Sequence, residues 1–509
     1  MGVIARQSIR GTIVTYLGIA VGIVTTFFVL TRFLTTEEIG LARVLVDAAT
    51  LFVGLAQLGT SASIIRFYPY FKAKESSDDH GFFFWALVVP FIGFVLFALI
   101  YWACSVPLGA WFGEKSPLFV EYYYFVLPIA FFMLYQTICE TTCKVLMHIV
   151  LPRGVRELVV RVGLLALYLL YAFRVLSLDG FVIGLCANYA IAALINLCYF
   201  LSLKGNDSSF SLHPVRLRPD FAFLKENSTL VRRYLVYTGF LVVSAMTTVL
   251  APTLSSFFVT AKMGLDSTGI FAIATYMAVM VSVPNRSVSA IAAPQLSHAI
   301  KEQNRDECSF LIRQVTRNLL LVGGFILLLI WFNIDLIFHI LPNGATYATA
   351  KEVVLVLGLS QLIVATFTIC LTALNYSRFY AFSLLLSLVL TVSAILLNNY
   401  LVPHFGMDGA AWSNLLSYGL YFLLIVLTLR LTCRFSIVDR NWWYILVLLV
   451  GLFVLNFLWQ RYLPTLNIWL DSLLRSLVLL GGGAFIAYKA KLSPEINSQI
   501  VNRISPDCQ

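Results

Sequence analysis

Charged residues are scarce in this sequence of 509 residues, of which only 12% are Asp, Glu, Lys or Arg. A soluble chain of this length would carry roughly a quarter charged residues. Hydrophobic residues make up 60% of the chain, so too few polar side chains are present to cover a surface in water. The composition therefore excludes a soluble protein and makes lipid the expected main solvent.

Signatures of enzyme chemistry are missing as well. The sequence contains no GxxxxGK[ST] loop for nucleotide phosphates, no HExxH, no nucleophile elbow and no paired CxxC. The six histidines lie far apart along the chain, and the nine cysteines lie mostly in apolar stretches. We therefore expect no enzyme activity, no cofactor and no metal site.

Fourteen long apolar runs fill the chain instead. A helix needs about 20 apolar residues to cross the roughly 30 Å of hydrocarbon in a bilayer. Strands of a membrane barrel would be about ten residues long with alternating polarity, which none of these runs shows. The sequence predicts an all-α integral membrane protein with about fourteen transmembrane helices, at residues 11–33, 43–66, 82–106, 121–145, 157–176, 180–203, 234–259, 268–291, 317–340, 352–375, 379–401, 409–430, 442–460 and 469–488.

Basic residues collect in every second connection between these runs. When the N-terminus is placed inside, eight of the 35 Lys and Arg residues fall on the opposite side, which leaves 27 inside. Because cytoplasmic connections are enriched in Lys and Arg, both termini are predicted to be cytoplasmic. The net charge of +10 is thus a topology signal in a multi-pass protein of the cell (inner or plasma) membrane, and we expect no nucleic-acid partner.

Two short matches indicate an internal repeat, since both are offset by 229 residues. Ile39-Gly40-Leu41 opens the second run and Thr268-Gly269-Ile270 opens the eighth, whereas Leu178-Asp179-Gly180 opens the sixth and Met407-Asp408-Gly409 opens the twelfth. The repeat unit thus holds six runs, which predicts two like-oriented, pseudo-symmetric six-helix halves. The predicted division is a first half with a cytoplasmic linker at 1–233, a second half at 234–433, and an appended helix pair with a cytoplasmic tail at 434–509.

Ionisable residues inside or at the rims of the apolar runs are the candidate site residues. A charge in this environment is costly unless it faces protein or a wet cavity. Cations outnumber carboxylates among these residues, which suits an anionic ligand such as a phosphate or diphosphate. The cations expected to bind substrate are Arg32, Arg66, Arg286 and Arg378.

Three other charged residues have two open interpretations. Asp47, Glu140 and Lys144 are candidates either for ion coupling or for helix pairing. Arg43 precedes Asp47 by four residues, and Glu140 precedes Lys144 by four. Each of these pairs would lie on one helix face, where the two charges can neutralise each other.

The first two runs carry a set of short motifs: Arg32-Phe33-Leu34, Glu38-Ile39-Gly40-Leu41, Gln57-Leu58-Gly59 and Ile64-Ile65-Arg66. With these motifs the chain resembles the polysaccharide-type flippases of the multidrug/oligosaccharidyl-lipid/polysaccharide exporter (MOP) superfamily, which includes the O-antigen and lipid II flippases. Gln57 stands where many members have Asp, a departure that weighs against a proton-coupling role at that position. In the second half, Pro284 and Pro294-Gln295-Leu296-Ser297 look like the matching element.

The resemblance implies that the substrate is a lipid-linked glycan, usually a polyprenyl-diphosphate oligosaccharide. Such a protein moves the glycan from the cytoplasmic to the outer leaflet by alternating access, for the synthesis of a cell-surface polysaccharide such as the O-antigen of lipopolysaccharide. Glycan polymerases and glycosyltransferases are the partners expected in that case. Two alternatives stay open, a multidrug or metabolite cation antiporter of the same superfamily and a membrane enzyme that modifies glycans.

Overall fold

The structure is a computed structural model, and it describes residues 3–71, 81–146, 148, 150–203, 253–462 and 467–493, together with a few single positions between 229 and 250. All regular structure within these residues is helical. The chain divides into two compact units, Met1–Gly269 and Ile270–Gln509. The predicted boundary between residues 233 and 234 lies next to positions outside the described residues, and the predicted division stays a prediction.

The helices of the first unit follow one another with short connections. A π-helical segment, Thr25–Leu30, joins α1 to α2, another, Val155–Val159, joins α9 to α10, and the 3₁₀ turn Tyr123–Phe125 precedes α8. Residues 253–263 are also helical. The helices are α1 (Val3–Val24), α2 (Thr31–Phe33), α3 (Thr36–Ala56), α4 (Thr60–Phe71), α5 (Phe82–Ala103), α6 (Ser105–Gly113), α7 (Pro117–Glu121), α8 (Val126–Val145), α9 (Val150–Gly154), α10 (Val160–Ala172) and α11 (Leu178–Ser202).

One helix crosses the boundary between the units, and nine follow it in the second unit. Two 3₁₀ turns, Met280–Ser282 and Ala348–Ala350, and two π segments, Leu429–Cys433 and Ser476–Gly481, connect or extend these helices. The helices are α12 (Leu265–Val279), α13 (Val283–Lys301), α14 (Arg305–Phe332), α15 (Ile334–Ile340), α16 (Gly344–Tyr347), α17 (Lys351–Tyr376), α18 (Ala381–Thr428), α19 (Arg440–Tyr462), α20 (Ile468–Arg475) and α21 (Gly482–Lys489).

Eleven helical stretches in the described part of the chain are long and apolar enough to cross a membrane. An all-helical membrane fold is therefore confirmed, whereas the count of fourteen and the orientation with both termini inside stay predictions. The predicted run at 234–259 lies mostly outside the described residues. The run at 157–176 is helical as far as Ala172, but charged residues crowd the first half of that helix and it is not among the eleven.

One of the eleven stretches contains two of the predicted runs. Inside α18, Gly406 has φ 60° and ψ −134°, which is not a helical conformation. The Ser413 hydroxyl lies 3.5 Å from the carbonyl oxygen of Ala394, whereas a straight helix would separate these residues by about 28 Å. The chain therefore folds back at Gly406 into two antiparallel helices, as the separate runs at 379–401 and 409–430 predict.

The second predicted run, 43–66, is not one continuous helix. It is interrupted between α3 and α4, where Leu58 has φ 48° and Gly59 has φ 68°. α5 approaches this break through Gly93, where an added Cβ would lie 2.1 Å from the carbonyl oxygen of Ala56. Glycine readily adopts positive φ, so the Gln57-Leu58-Gly59 motif forms a turn where the apolar pattern alone predicts a helix.

The two glycines that match in the internal repeat lie against each other in the first unit. An added Cβ at Gly40 would lie 2.1 Å from the carbonyl oxygen of Leu265, and one at Gly269 would lie 2.0 Å from that of Thr36. The Thr36 hydroxyl also donates a hydrogen bond of 2.5 Å to Asp266. The N-terminal turns of α3 and α12 are thus in backbone contact, which only residues without a side chain permit.

The appended helices pack within the second unit. Gly324 on α14 leaves room for Leu449 on α19, whose Cδ1 atom would lie 2.3 Å from an added Cβ. Asn333 and Ser476 exchange hydrogen bonds of 2.9 and 3.2 Å between the end of α14 and the segment after α20. Arg317 on α14 forms an ion pair of 2.7 Å with Asp439, just before α19. Polar contacts at both ends and apolar packing between them therefore attach the pair to α14.

Candidate functional site

The four arginines expected to bind substrate are spread over both units. Arg32 lies in α2, exposed, with its guanidinium 5.5 Å from the ring centre of Phe33. Arg66 lies in α4, and its side chain is outside the described residues. Arg286 is exposed near the start of α13, and Arg378 is exposed in the connection between α17 and α18. Within each unit, no contact in the described part of the chain brings two of these arginines together, and their role stays a prediction.

Asp47 forms an ion pair on its own helix. Its carboxylate lies 2.8 Å from Nε of Arg43 on α3, and the residue is only 7% exposed. The buried carboxylate is therefore neutralised by a cation one turn away, as the spacing of four residues allows. A role for Asp47 in ion coupling stays a prediction.

Glu140 on α8 binds two cations from two different segments. One carboxylate oxygen lies 2.8 Å from Nζ of Lys144, one turn further along α8, and the other lies 3.0 Å from Nη1 of Arg156. The Glu140 side chain is 3% exposed, whereas those of Lys144 and Arg156 are 40% and 48% exposed. A buried carboxylate thus fixes two cations whose outer faces remain open.

The chain of charges continues from Arg156 toward α1. Nη2 of Arg156 lies 3.3 Å from Glu157, and the other oxygen of Glu157 lies 3.0 Å from Arg161. Arg161 also donates a hydrogen bond of 2.7 Å to the carbonyl oxygen of Gly18. An added Cβ at Gly22 would lie 2.9 Å from Nη1 of Arg161, so glycine at this position makes room for the guanidinium. Five ionisable groups therefore connect α8, the α9–α10 segment and α1.

Local backbone geometry places Arg156 in this chain. Arg156 and Glu157 lie in the π-helical segment Val155–Val159, which widens the helix by one residue per turn. Such π bulges reorient side chains and occur frequently at functional sites. The neighbouring residues Arg156 and Glu157 in this segment both enter one ion-pair network, together with Glu140 and Arg161.

The five groups carry three positive and two negative charges. We name them the charge chain: Lys144, Glu140, Arg156, Glu157 and Arg161. Both carboxylates are buried, and the partly exposed side chains are those of the cations. Charges inside apolar helices are costly unless they are paired, so the pairing explains how the chain is tolerated, and the remaining positive charge favours an anion at its exposed edge.

Sequence reasoning identified part of the charge chain. The spacing of four residues between Glu140 and Lys144 predicts that pair, and Arg161 lies inside the predicted run at 157–176. Arg156 and Glu157 are not among the predicted site residues, because Arg156 lies just before the run at 157–176, where a basic residue is typical of a topology signal, and Glu157 is the first residue of that run. The spacing of four between Glu157 and Arg161 was the available signal. Among the described residues, no group of three His, Cys, Asp or Glu side chains is placed to hold a metal ion.

Comparison with solved structures identifies the fold. A structure described as the lipid II flippase MurJ in an inward closed conformation matches with a TM-score of 0.67 and 12% identity, over 95% of this chain and 99% of that one. An inward-facing multidrug resistance MATE transporter of the MOP superfamily matches with a TM-score of 0.59 and 13% identity, over 80% and 94%. A MOP superfamily transporter from Pyrococcus furiosus, described as having a binding pocket of reverse polarity, matches with a TM-score of 0.53 and 13% identity, over 84% and 96%.

The chain is therefore a multi-pass membrane protein with the fold of the MOP superfamily transporters. The sequence profile of the family described as polysaccharide biosynthesis protein matches residues 6–299, more than half of the chain. The chain belongs to this family, in agreement with the resemblance found in the first two runs. No curated protein sequence matches it at a significant level.

Proposed function

We propose that this protein flips a lipid-linked, anionic oligosaccharide from the cytoplasmic to the outer leaflet of the cell membrane. The observation that carries the proposal is the excess of cations in the charge chain, where Lys144 and Arg156 are partly exposed. A diphosphate and its sugars cannot cross hydrocarbon unaided, so a polar surface inside the protein must replace their hydration. Membership of the polysaccharide biosynthesis family supports a glycan as the cargo.

In this proposal the two predicted halves alternate between opening toward the cytoplasm and opening outward. Arg32, Arg66, Arg286 and Arg378 are proposed to contact the diphosphate and sugars along the way, since arginine can bind two phosphate oxygens at once. Outward movement of a negative charge is also favoured by the membrane potential, by roughly 2.3 kcal/mol for each unit charge and 100 mV. Catalysis has no part in this function.

The alternative within the same fold is an antiporter of organic cations, which would need a buried carboxylate accessible to a cationic drug. Asp47 and Glu140 are the buried carboxylates in question, and each already binds a cation of the protein at 2.8 Å. The charge of each carboxylate is therefore already compensated by a cation of the protein, which weakens its attraction for a cationic ligand. The geometry thus favours an anionic cargo.

The proposal is tested in the source cells by replacing the chromosomal gene with variants. Arg32→Ala, Arg66→Ala and Arg286→Ala each remove a guanidinium proposed to bind phosphate, and loss of a charge-assisted contact weakens binding by about tenfold or more. The expected result is a reduced amount of surface polysaccharide at equal protein level. Arg461→Ala is the matched control, because Arg461 is an exposed arginine at the end of α19. If all three variants make normal amounts of polysaccharide, the assignment of these arginines is wrong.

A further inference from the structure

We propose that Lys144 and Arg156 form a binding site for the phosphate groups of an anionic ligand, and that Glu140, on the buried side of the two cations, orders this site and lowers its affinity. This inference rests on the proposed function, because it places the diphosphate of the cargo at the exposed edge of the charge chain. The ligand class is a phosphate or diphosphate ester. Neither Arg156 nor this use of Glu140 is among the residues expected from the sequence to bind substrate.

The first argument is the geometry around Glu140. Its two oxygens bind two cations from separate segments, at 2.8 Å to Lys144 Nζ and 3.0 Å to Arg156 Nη1. Two cations bound to one carboxylate lie close enough together for the oxygens of one phosphate group to reach both. Glu140 thereby holds the ammonium and guanidinium groups in the arrangement that a phosphate would need.

The second argument is burial. The Glu140 side chain is 3% exposed, so the carboxylate lies on the inner side of the two cations, whereas Lys144 and Arg156 are 40% and 48% exposed. An ammonium has three donors and a guanidinium has five, so each cation keeps donors that can point outward. The outer faces of Lys144 and Arg156 are therefore the surfaces that a ligand can contact among the described residues.

The third argument is the rigidity and charge of the site. Glu157 binds Nη2 of Arg156 at 3.3 Å, so this guanidinium is oriented by two carboxylates from two segments. Side chains that are already ordered lose little conformational entropy when a ligand binds. The charge chain carries three cations and two carboxylates, and an incoming phosphate would compensate the remaining positive charge.

This arrangement also explains how the ligand would be released. Glu140 competes with phosphate for the same two cations, so binding is weakened by the repulsion between two anions. A transporter gains from moderate affinity, because a cargo that binds too tightly does not leave. Glu140 thus lowers the affinity of a site that its own contacts keep in order.

The test measures binding of inorganic pyrophosphate to the full-length protein in detergent by titration calorimetry. Glu140→Gln removes the competing charge but keeps the side-chain shape, so we expect pyrophosphate to bind about fivefold more tightly. Lys144→Gln and Arg156→Gln remove a cation, and we expect each to weaken binding about tenfold. The affinity of Arg156→Lys for pyrophosphate should lie between those of Arg156→Gln and the unchanged protein, because lysine keeps the charge but lacks the planar guanidinium.

The sign of the Glu140→Gln effect separates a ligand site from a purely structural ion-pair cluster. A misfolded variant cannot bind more tightly, and Arg461→Gln serves as the control for a general loss of positive charge. The proposal is overturned if Glu140→Gln does not tighten binding, or if Arg156→Gln binds pyrophosphate as the unchanged protein does. Normal glycan export together with either of these results would reject this site alone, whereas the expected binding pattern without any glycan movement would reject the proposed function alone.

Discussion

The contact between the N-terminal turns of α3 and α12 leads to a quantitative prediction for Gly269→Ala. The added methyl carbon would lie 2.0 Å from the carbonyl oxygen of Thr36. Nonbonded heavy atoms prefer a separation of about 3.5 Å, so the two backbones would have to move apart by roughly 1.5 Å. The hydrogen bond of 2.5 Å between Thr36 and Asp266 would then be broken.

The expected cost follows from these displacements. Overpacking a tight contact destabilises the folded protein by about 1–3 kcal/mol. Alanine in a helix stabilises it by roughly 0.5–1 kcal/mol relative to glycine. With the lost hydrogen bond of about 1 kcal/mol included, the net destabilisation is about 2 kcal/mol. Gly40→Ala should behave in the same way, since its added Cβ would lie 2.1 Å from the carbonyl oxygen of Leu265.

The assay is the thermal unfolding midpoint of the purified protein in detergent. Gly419→Ala and Gly451→Ala are matched controls, because an added Cβ at either position meets no atom within 4 Å. Gly40→Ala and Gly269→Ala should lower the midpoint, and the two controls should leave it unchanged or raise it slightly. Since both substitutions separate the same pair of backbones, the double variant should lose less than the sum of the single losses. A midpoint for Gly269→Ala equal to that of the controls would refute the backbone contact.

Two further predictions concern the second unit. Gly406→Ala places a side chain at φ 60° and ψ −134°, a conformation that costs a residue other than glycine about 1–3 kcal/mol. The unfolding midpoint of this variant should therefore fall below that of Gly419→Ala. An equal midpoint would contradict the turn at Gly406. Arg475 is 2% exposed and forms an ion pair of 2.7 Å with Asp471, while its Nε and Nη1 atoms have no hydrogen-bond partner among the described residues. Asp471→Ala alone should destabilise the protein by about 3–5 kcal/mol, because it leaves a buried cation without its counterion. The double variant Asp471→Asn/Arg475→Met should be about as stable as the unchanged protein, since it removes both charges. Equal unfolding midpoints for the single and double variants would contradict this prediction.

The sequence predicts the membrane fold well because the signal is spread over long stretches of chain. A helix in lipid must satisfy its backbone hydrogen bonds internally, and its outward side chains must be apolar. Each apolar run thus reports its environment independently of the rest of the fold. The turn at Gly406 is an example, because it falls between the predicted runs at 379–401 and 409–430. Hydropathy separates these two runs although helical structure lies directly on both sides of Gly406.

Features that depend on a single residue conformation were harder to predict. The break at Leu58 and Gly59 lies inside an apolar run, and nothing in its hydropathy distinguishes it from helix. The glycine of this motif was visible, but a glycine inside a membrane helix is common. The structure places Gly93 of α5 against the carbonyl oxygen of Ala56 at this break, a contact between helices that hydropathy does not encode.

The candidate site was predictable only in its local parts. Pairs four residues apart on one helix, such as Glu140 with Lys144, follow from helical geometry. The contact between Glu140 and Arg156 joins two segments across a connection, and Arg156 lies in a π-helical segment. Hydropathy contains no information about such a segment, and a basic residue just before an apolar run is typical of a topology signal.

Movement of a lipid-linked glycan by the purified protein is the most direct test of the central claim. The protein is reconstituted into vesicles that contain a fluorescent polyprenyl-diphosphate oligosaccharide, and a membrane-impermeant reductant destroys the label in the outer leaflet. We expect the protected inner fraction to become accessible with protein but not in protein-free vesicles, and more slowly with Arg156→Gln than with Arg461→Gln. An inner fraction that stays protected with the folded protein, while the same vesicles transport an organic cation, would contradict the account.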